Sequence, residues 1–191
     1  MKLLEQRILT DGRVLPGGIL KIDSFLNHQL DPQLMYEMGV EFKRLFGDRN
    51  VNKILTIEAS GIAIAIMVGY VFGCPVVFAK KSKSKNISDS VYSTEVESFT
   101  HGNTNTVIVS KEYLGKDDRV LIIDDFLATG AALVGLKALV EQAGGTVVGA
   151  GIAVEKVFQG GGALLESRGV HVESLARIAE MSDDSLKFVQ N

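Results

Sequence analysis

Two adjacent carboxylates, Asp124 and Asp125, close the apolar run Val120-Leu121-Ile122-Ile123, and Phe126-Leu127-Ala128-Thr129-Gly130-Ala131-Ala132 follows them. The apolar run reads as a buried strand, and the small residues as a turn opening a helix near Gly130. That order places two acids and a ring of exposed backbone N–H groups at the carboxyl end of a strand, where open α/β sheets bind ligands. Helix N-termini attract phosphate through unpaired N–H groups and the aligned peptide dipole. An anion cradle beside paired acids suits a sugar phosphate: the loop holds the phosphate, and the acids take the hydroxyls or a metal. The bland alternative is an Asp-Asp that begins a solvated turn, with Thr129 as helix cap. The strand–turn–helix context favours the ligand site.

The same device recurs at Glu58-Ala59-Ser60-Gly61, where the apolar strand of residues 54–57 runs into small residues and then a helix. Backbone N–H groups of Ala59, Ser60 and Gly61 can cradle a second anion, although Ser60 alone would also serve as a plain cap. Lys80, Lys81, Lys83 and Lys85 form the densest basic run. Most of it reads as a solvated loop. Lys81 is the exception, because it follows a strand end expected beside the Ala59-Ser60-Gly61 turn.

These loops need a frame, and the pattern along the chain supplies one. Leu3, Leu4, Arg7 and Ile8 make a short amphipathic helix stopped by Asp11-Gly12, and Pro16-Gly17-Gly18 turns the chain into a short strand over residues 19–23. Asp31-Pro32 has the form of an N-cap with proline at the first helical position. The helix it opens carries Leu34, Met35, Met38, Phe42, Leu45 and Phe46 at helical period. Strands follow over residues 53–58 and 76–79, with a helix over 61–72 between them. Residues 91–99 and 106–109, separated by a turn signal at His101-Gly102-Asn103, predict a two-stranded excursion with a mobile start. After the acid-pair strand comes a helix ended by Gly144-Gly145, a strand over 146–154, and a helix opened by Gly160-Gly161-Gly162 that runs to Arg168. A final strand begins at residues 170–172. Alternating strands and helices predict a parallel α/β sheet with right-handed crossovers. The chain carries neither a Walker A pattern nor a Gly-x-Gly-x-x-Gly fingerprint.

The segment from Val120 to Ala132 resembles the phosphoribosyl-diphosphate signature of the type I phosphoribosyltransferases. The resemblance implies an open, mainly parallel twisted α/β sheet flanked by helices, in a single domain over residues 1–191. It adds a small hood from residues 1–30 and about 153–191 and a flexible loop over about 80–110. It also assigns roles. Asp124 and Asp125 lie along the ribose hydroxyls, and Ala128, Thr129, Gly130, Ala131 and Ala132 wrap the 5′-phosphate. Ala59, Ser60 and Gly61 contact the pyrophosphate, and Lys81 neutralises it as it leaves. Mg²⁺ is held mainly by substrate oxygens and water, with no ligand of its own certain in the protein. Within the family, Met1-Lys2-Leu3-Leu4-Glu5, residues 17–23 and Val154-Glu155-Lys156 look most like the branch acting on xanthine. In that branch Leu20 and Asn27 border the purine and Lys156 faces its oxygenated edge. A lysine donor suits an oxo group and leaves adenine's amine badly paired. Guanine, hypoxanthine and adenine remain alternative acceptors. The rival from another class is a regulator that senses phosphoribosyl diphosphate. Such regulators carry a DNA-binding segment ahead of this fold, and no basic helix precedes residue 20. Family members commonly pair as homodimers.

Composition bounds the rest. At 191 residues the chain can bury a sizeable core. Its formal charge of −3 gives no electrostatic reason to expect nucleic-acid affinity. Cys74 is the only cysteine, which excludes an intrachain disulfide and fits a reducing cytoplasm. His28, His101 and His171 are scattered, with no metal-ligand spacing. The apolar stretch of residues 61–79 is broken by Gly73 and Pro75, so it predicts a buried helix and strand rather than a membrane span.

Overall fold

The computed structural model describes residues 1–82, 90–97 and 104–190. The His101-Gly102-Asn103 turn signal, Lys83 and Lys85 lie outside them. Helix α1 (Lys2–Asp11) leads into a two-stranded hairpin, β1 (Arg13–Leu15) and β2 (Ile19–Lys21), in which Val14 faces Leu20. Gly17 and Gly18 make its turn with φ of +84° and +71°, a conformation open to glycine at no steric cost. The strand expected through Asp23 ends at Lys21. Phe25 and Leu26 are buried, and their amides donate back to Ile22 O, folding the chain over. The expected N-cap is present: Asp31 accepts from Leu34 N, and α2 (Pro32–Phe46) follows.

The remaining strands form one eight-stranded sheet. It is built from β3 (Lys53–Ile57), β4 (Val76–Ser82), β5 (Val91–Glu97), β6 (Thr104–Ser110), β7 (Arg119–Leu127), β8 (Thr146–Lys156), β9 (Val172–Met181) and β10 (Leu186–Phe188), in the order β10-β9-β8-β7-β3-β4-β6-β5. The five strands from β9 to β4 are parallel, and β10, β6 and β5 join antiparallel at the two edges. Three further helices, α3 (Gly61–Phe72), α4 (Ala131–Gln142) and α5 (Gly161–Ser167), make a mainly parallel sheet flanked by five helices among the described residues. Among these residues no helix is long and apolar enough to cross a membrane.

Side-chain alternation divides the core in two. Ile54, Leu121 and Ile123 face α2 and α3, while Leu55, Val120 and Ile122 face α4 and α5. On β8 a methyl added to Gly149 would meet Phe46 Cε1 at 2.5 Å, and one on Gly151 would meet Phe42 Cε1 at 2.7 Å. Two glycines two residues apart thus leave room for two phenylalanines one helical turn apart. Burying each ring stabilises the layer by about 1.5–3 kcal/mol.

The chain leaves β3 through α3 toward β4 and leaves β7 through α4 in the opposite direction, toward β8. The carboxyl ends of β3 and β7 therefore flank the point where the winding reverses, where such sheets open a crevice. Both loops singled out in the sequence sit there.

Two elements were extended by pairing that the sequence pattern does not display. β4 continues past Ala79 because Lys80 and Lys81 pair with Ile108 and Val107 of β6. Lys81 therefore lies within the strand instead of after it. β10 is three residues long and is held by its pairing with β9 and by a Lys187–Glu180 ion pair of 2.9 Å.

Candidate active site

β7 carries the two acids into a cavity of about 270 Å³. The cavity is lined by Asp124 and Asp125, by Ala59 and Ser60, by Lys81 and by residues 128–132. Gly61 adjoins it at the head of α3. Asp124 is 5% exposed and Asp125 half-buried. A methyl on Gly61 would collide with Thr56 Oγ1 and lie 3.0 Å from Asp124 Oδ1. The Asp124 carboxylate therefore presses against the first residue of α3, beside a buried Thr56 hydroxyl that has no hydrogen-bond partner among the described residues. Asp125 N donates to Asp124 Oδ1 at 3.0 Å.

Burial is the main force on Asp124 and pushes its pKa well above the ordinary carboxylate value. The charge of Asp125 and a side-chain hydrogen bond with it add to the rise. The Asp125 amide and the Lys81 ammonium pull the other way, less strongly. The Asp124 carboxyl thus gives up its proton less readily than an ordinary aspartate.

Each turn presents an uncapped helix N-terminus. At β7 the N-cap is Gly130, left-handed at φ +86°, and no side chain caps α4. Thr129 is not the cap. At β3 the N-cap is Ser60, again without a side-chain cap bond, and the Glu58–Ala59 peptide is cis. Neither N-cap residue bonds the leading amides of its helix through a side chain, which suits an anion cradle. Lys81, exposed on β4 on the far side of β3 from β7, lines the same cavity, and its backbone N donates to Glu58 Oε1 at 2.6 Å.

The residues expected around the purine are placed differently. Lys156, half-buried at the end of β8, donates through Nζ to Gly18 O at 2.8 Å, and burial lowers its pKa. Leu20 is buried in β2, and Asn27 is exposed, its Nδ2 donating to Asp23 Oδ1 at 3.2 Å. None of the three lines the cavity. Lys156 adjoins it through Phe126, whose ring centroid lies 5.8 Å from the ammonium and whose side chain lines the cavity. Phe126 was not among the expected site residues. The signal was present, since strand alternation sets residue 126 on the same face as Asp124. Asn105 of β6 also lines the cavity, and nothing in the sequence marked it.

The remaining candidates fall away from the site. Cys74 is half-buried and its thiol pKa is raised by burial, as expected of a structural thiol. His171 packs edge-on against Phe46 and pairs with Glu173. Among the described residues no group of three or more His, Cys, Asp or Glu could hold a metal ion.

Two helix N-termini without side-chain caps, an acid pair and a lysine meet around one crevice. Residues 38–167 match the phosphoribosyl transferase domain, and the chain belongs to that family, as its signature segment implied. It is similar over nearly its whole length to proteins named xanthine phosphoribosyltransferase. One from Ruminiclostridium cellulolyticum is 55% identical over 190 residues, covering 100% of each chain. One from Finegoldia magna is 56% identical over 188 residues, 98% of this chain and 99% of that one. One from Bacillus cytotoxicus is 52% identical over 191 residues, 100% of this chain and 97% of that one. Among solved structures, the adenine phosphoribosyltransferase of Thermoanaerobacter pseudethanolicus superposes with a TM-score of 0.76 at 26% identity, covering 91% of this chain and 99% of that one. The Giardia lamblia enzyme complexed with 9-deazaadenine (TM-score 0.78, 21% identity, 91% and 97% coverage) shares the fold.

Proposed function

We propose that this chain transfers the 5-phosphoribosyl group from 5-phospho-α-D-ribose 1-diphosphate to N9 of xanthine, forming xanthosine 5′-monophosphate and pyrophosphate in purine salvage. The observation that carries the reading is the single cavity in which both anion cradles, the acid pair and Lys81 meet. The named relatives supply the acceptor.

In this reading residues 128–132 hold the 5′-phosphate, and Ala59, Ser60 and Gly61 hold the diphosphate. Asp124 and Asp125 orient the ribose hydroxyls and stabilise the positive charge that grows on the ring. N9 of the base anion, its proton already lost to solvent, bonds to the anomeric carbon as the bridging oxygen leaves with its electron pair in pyrophosphate, inverting that centre. Lys81 neutralises the departing pyrophosphate. Catalysis is positioning and electrostatics, with no covalent nucleophile. Lys156 donates to an oxo group of the base, Asn27 offers a donor and an acceptor, and Leu20 and Phe126 give apolar surface. Two adjacent carboxylates with no protein cage suit Mg²⁺, which keeps waters and binds through substrate oxygens. Bound there, the ion would neutralise diphosphate charge, with Asp124 and Asp125 the adjacent carboxylates nearest the sugar and Glu58 a third on the cavity wall.

The whole chain acts as one catalytic unit, with residues 1–30 and about 153–191 as the hood over the base; the loop expected over about 80–110 lies partly outside the described residues, and its described parts belong mainly to strands β4, β5 and β6. A cytoplasmic location is supported by the lone half-buried Cys74. Pairing into a homodimer is supported by Tyr36 and Val40 of α2 and Ile66 and Tyr70 of α3, which stay exposed, Tyr70 at 76%.

The test is a base-by-base transfer assay with the sugar donor and Mg²⁺, reading pyrophosphate release with xanthine, guanine, hypoxanthine and adenine. Preference for xanthine is expected. Preference for another base would discard the roles given to Leu20, Asn27 and Lys156 and keep the donor site. Tight donor binding without turnover would favour a sensor.

A further inference from the structure

The loop of residues 128–132 is braced by an element that belongs to neither cradle. After β8 a short 3₁₀ turn (Val157–Gln159) leads to Gly160, left-handed at φ +78°, which swings the chain back so that α5 starts against the loop. Gly161 N donates to Ala128 O at 3.0 Å. A methyl on Gly161 would collide with Ala128 O and lie 2.8 Å from Gly130 N. In the other direction, a methyl on Gly130 would lie 3.2 Å from Gly161 O and 3.3 Å from Gly161 Cα. Two stretches of main chain touch here, with the buried Leu127 Cδ1 also 2.8 Å from where a Gly161 methyl would sit.

Its neighbour faces elsewhere. A methyl on Gly162 would collide with Glu155 Oε1, a buried carboxylate paired with Arg177 Nε at 3.4 Å. Adjacent glycines of one helix thus press on different things: Gly161 on the backbone of the loop, Gly162 on a side chain beneath it. A carboxylate can turn aside, whereas a loop backbone fixed at Gly130 in the left-handed region cannot.

We propose that Gly161 is a positioning residue for the 5′-phosphate: its bare backbone, bonded to Ala128 and seated against Gly130, sets the path of the phosphate loop. The proposal rests on the reading that residues 128–132 hold that phosphate. Cradle amides act only in the right places, and displacements of an ångström or less are costly to a pre-organised site.

The test compares Gly161→Ala with Gly162→Ala, each checked for folding by its Tm. Gly161→Ala is expected to raise the KM for phosphoribosyl diphosphate about tenfold and leave the purine KM within about twofold, while Gly162→Ala leaves the donor KM within about twofold. Equal rises in donor KM in the two variants, or a purine KM that moves as far as the donor's, would overturn it. Should Gly161→Ala not fold, amide exchange in the unsubstituted protein gives the answer. Ribose 5-phosphate is expected to slow the Gly161 amide about tenfold and leave the Val170 amide, bonded to Leu165 O beyond the other end of α5, within about twofold. Equal slowing, or none at Gly161, overturns the proposal. Unsubstituted protein that neither binds nor turns over the donor overturns it together with the functional reading; normal turnover with an unshifted Gly161→Ala overturns this proposal alone.

Discussion

The donor end of the cavity is made largely of main chain at two strand ends, whereas the groups proposed for the purine are side chains on elements far apart in sequence. Residues 128–132 and Ala59, Ser60 and Gly61 offer helix-leading amides whose positions follow from the sheet itself. Lys156, by contrast, meets Gly18 across 138 positions of chain, and Asn27 is exposed with only Asp23 for company. A cradle of amides is preset by the fold and binds through main chain, whichever side chains its non-glycine positions carry. A ring of side chains is free to vary, which is what a family needs if it holds one donor constant and changes the base.

The largest effect should come from the donor end. Asp125→Asn keeps the shape of the side chain and removes its charge next to the sugar. Turnover should fall by about 100- to 1,000-fold, in the range seen when one pre-organised electrostatic group is lost, with the Tm little changed. Steady-state rates beside a thermal melt check this, and near-normal turnover would remove Asp125 from the chemistry.

On the acceptor side the expected loss is smaller and selective. Lys156→Met keeps much of the stem that packs near Phe126 and removes the ammonium. The purine KM should rise about tenfold or more, as for a lost hydrogen bond from a charged group, while the donor KM stays within about twofold. Burial lowers the Lys156 pKa, so its charge is lost at a lower pH than an ordinary lysine's 10.5. The purine KM of the unsubstituted enzyme should therefore climb as pH rises through that lowered value. Subtracting the profile of Lys156→Met removes the titration of the base itself. A difference that stays flat with pH would place the ammonium away from the purine.

What the sequence made legible divides along the same line. The strand, acid pair, turn and helix of residues 120–132 are contiguous, so their order already implied a site, and the helix bounds at Gly61 and Phe72 followed from small residues and a Gly stop. Pairings that depend on distant partners were hidden. Lys81 looked like the start of a loop because nothing near it announces that Val107 will pair with it. β1 and β10 are three residues each, too short for a period to register. Alternation along β7 puts Phe126 on the face of Asp124, but its closeness to Lys156 depends on how β7 and β8 pair, which the sequence does not display. Gly161 read as part of a linker, since its closeness to Ala128 depends on how α5 folds back.

The smallest expected effect is one of stability, and it separates the two carboxylates of the pair. Asp124 is almost wholly buried, and its folded pKa is raised above the ordinary 3.8, chiefly by that burial. A carboxyl with a raised folded pKa binds its proton more tightly in the native state than in the unfolded chain. Its contribution is therefore most favourable below the unfolded value and declines as pH climbs from there through the folded pKa. At neutral pH the native state bears that cost, and Asp124→Asn relieves it while keeping the acceptor toward Asp125 N and the fit against Gly61. Its Tm should exceed that of the unsubstituted protein at pH 7, with about 2–4 °C for each 1 kcal/mol relieved in a chain of this size. The gap should close as pH falls toward 4. Turnover should drop in the same variant, which would make Asp124 a place where stability is given up for the donor site. Paired melts across that pH range decide the matter. A less stable Asp124→Asn at pH 7 would mean that the Lys81 ammonium outweighs burial, and that the carboxylate is held charged.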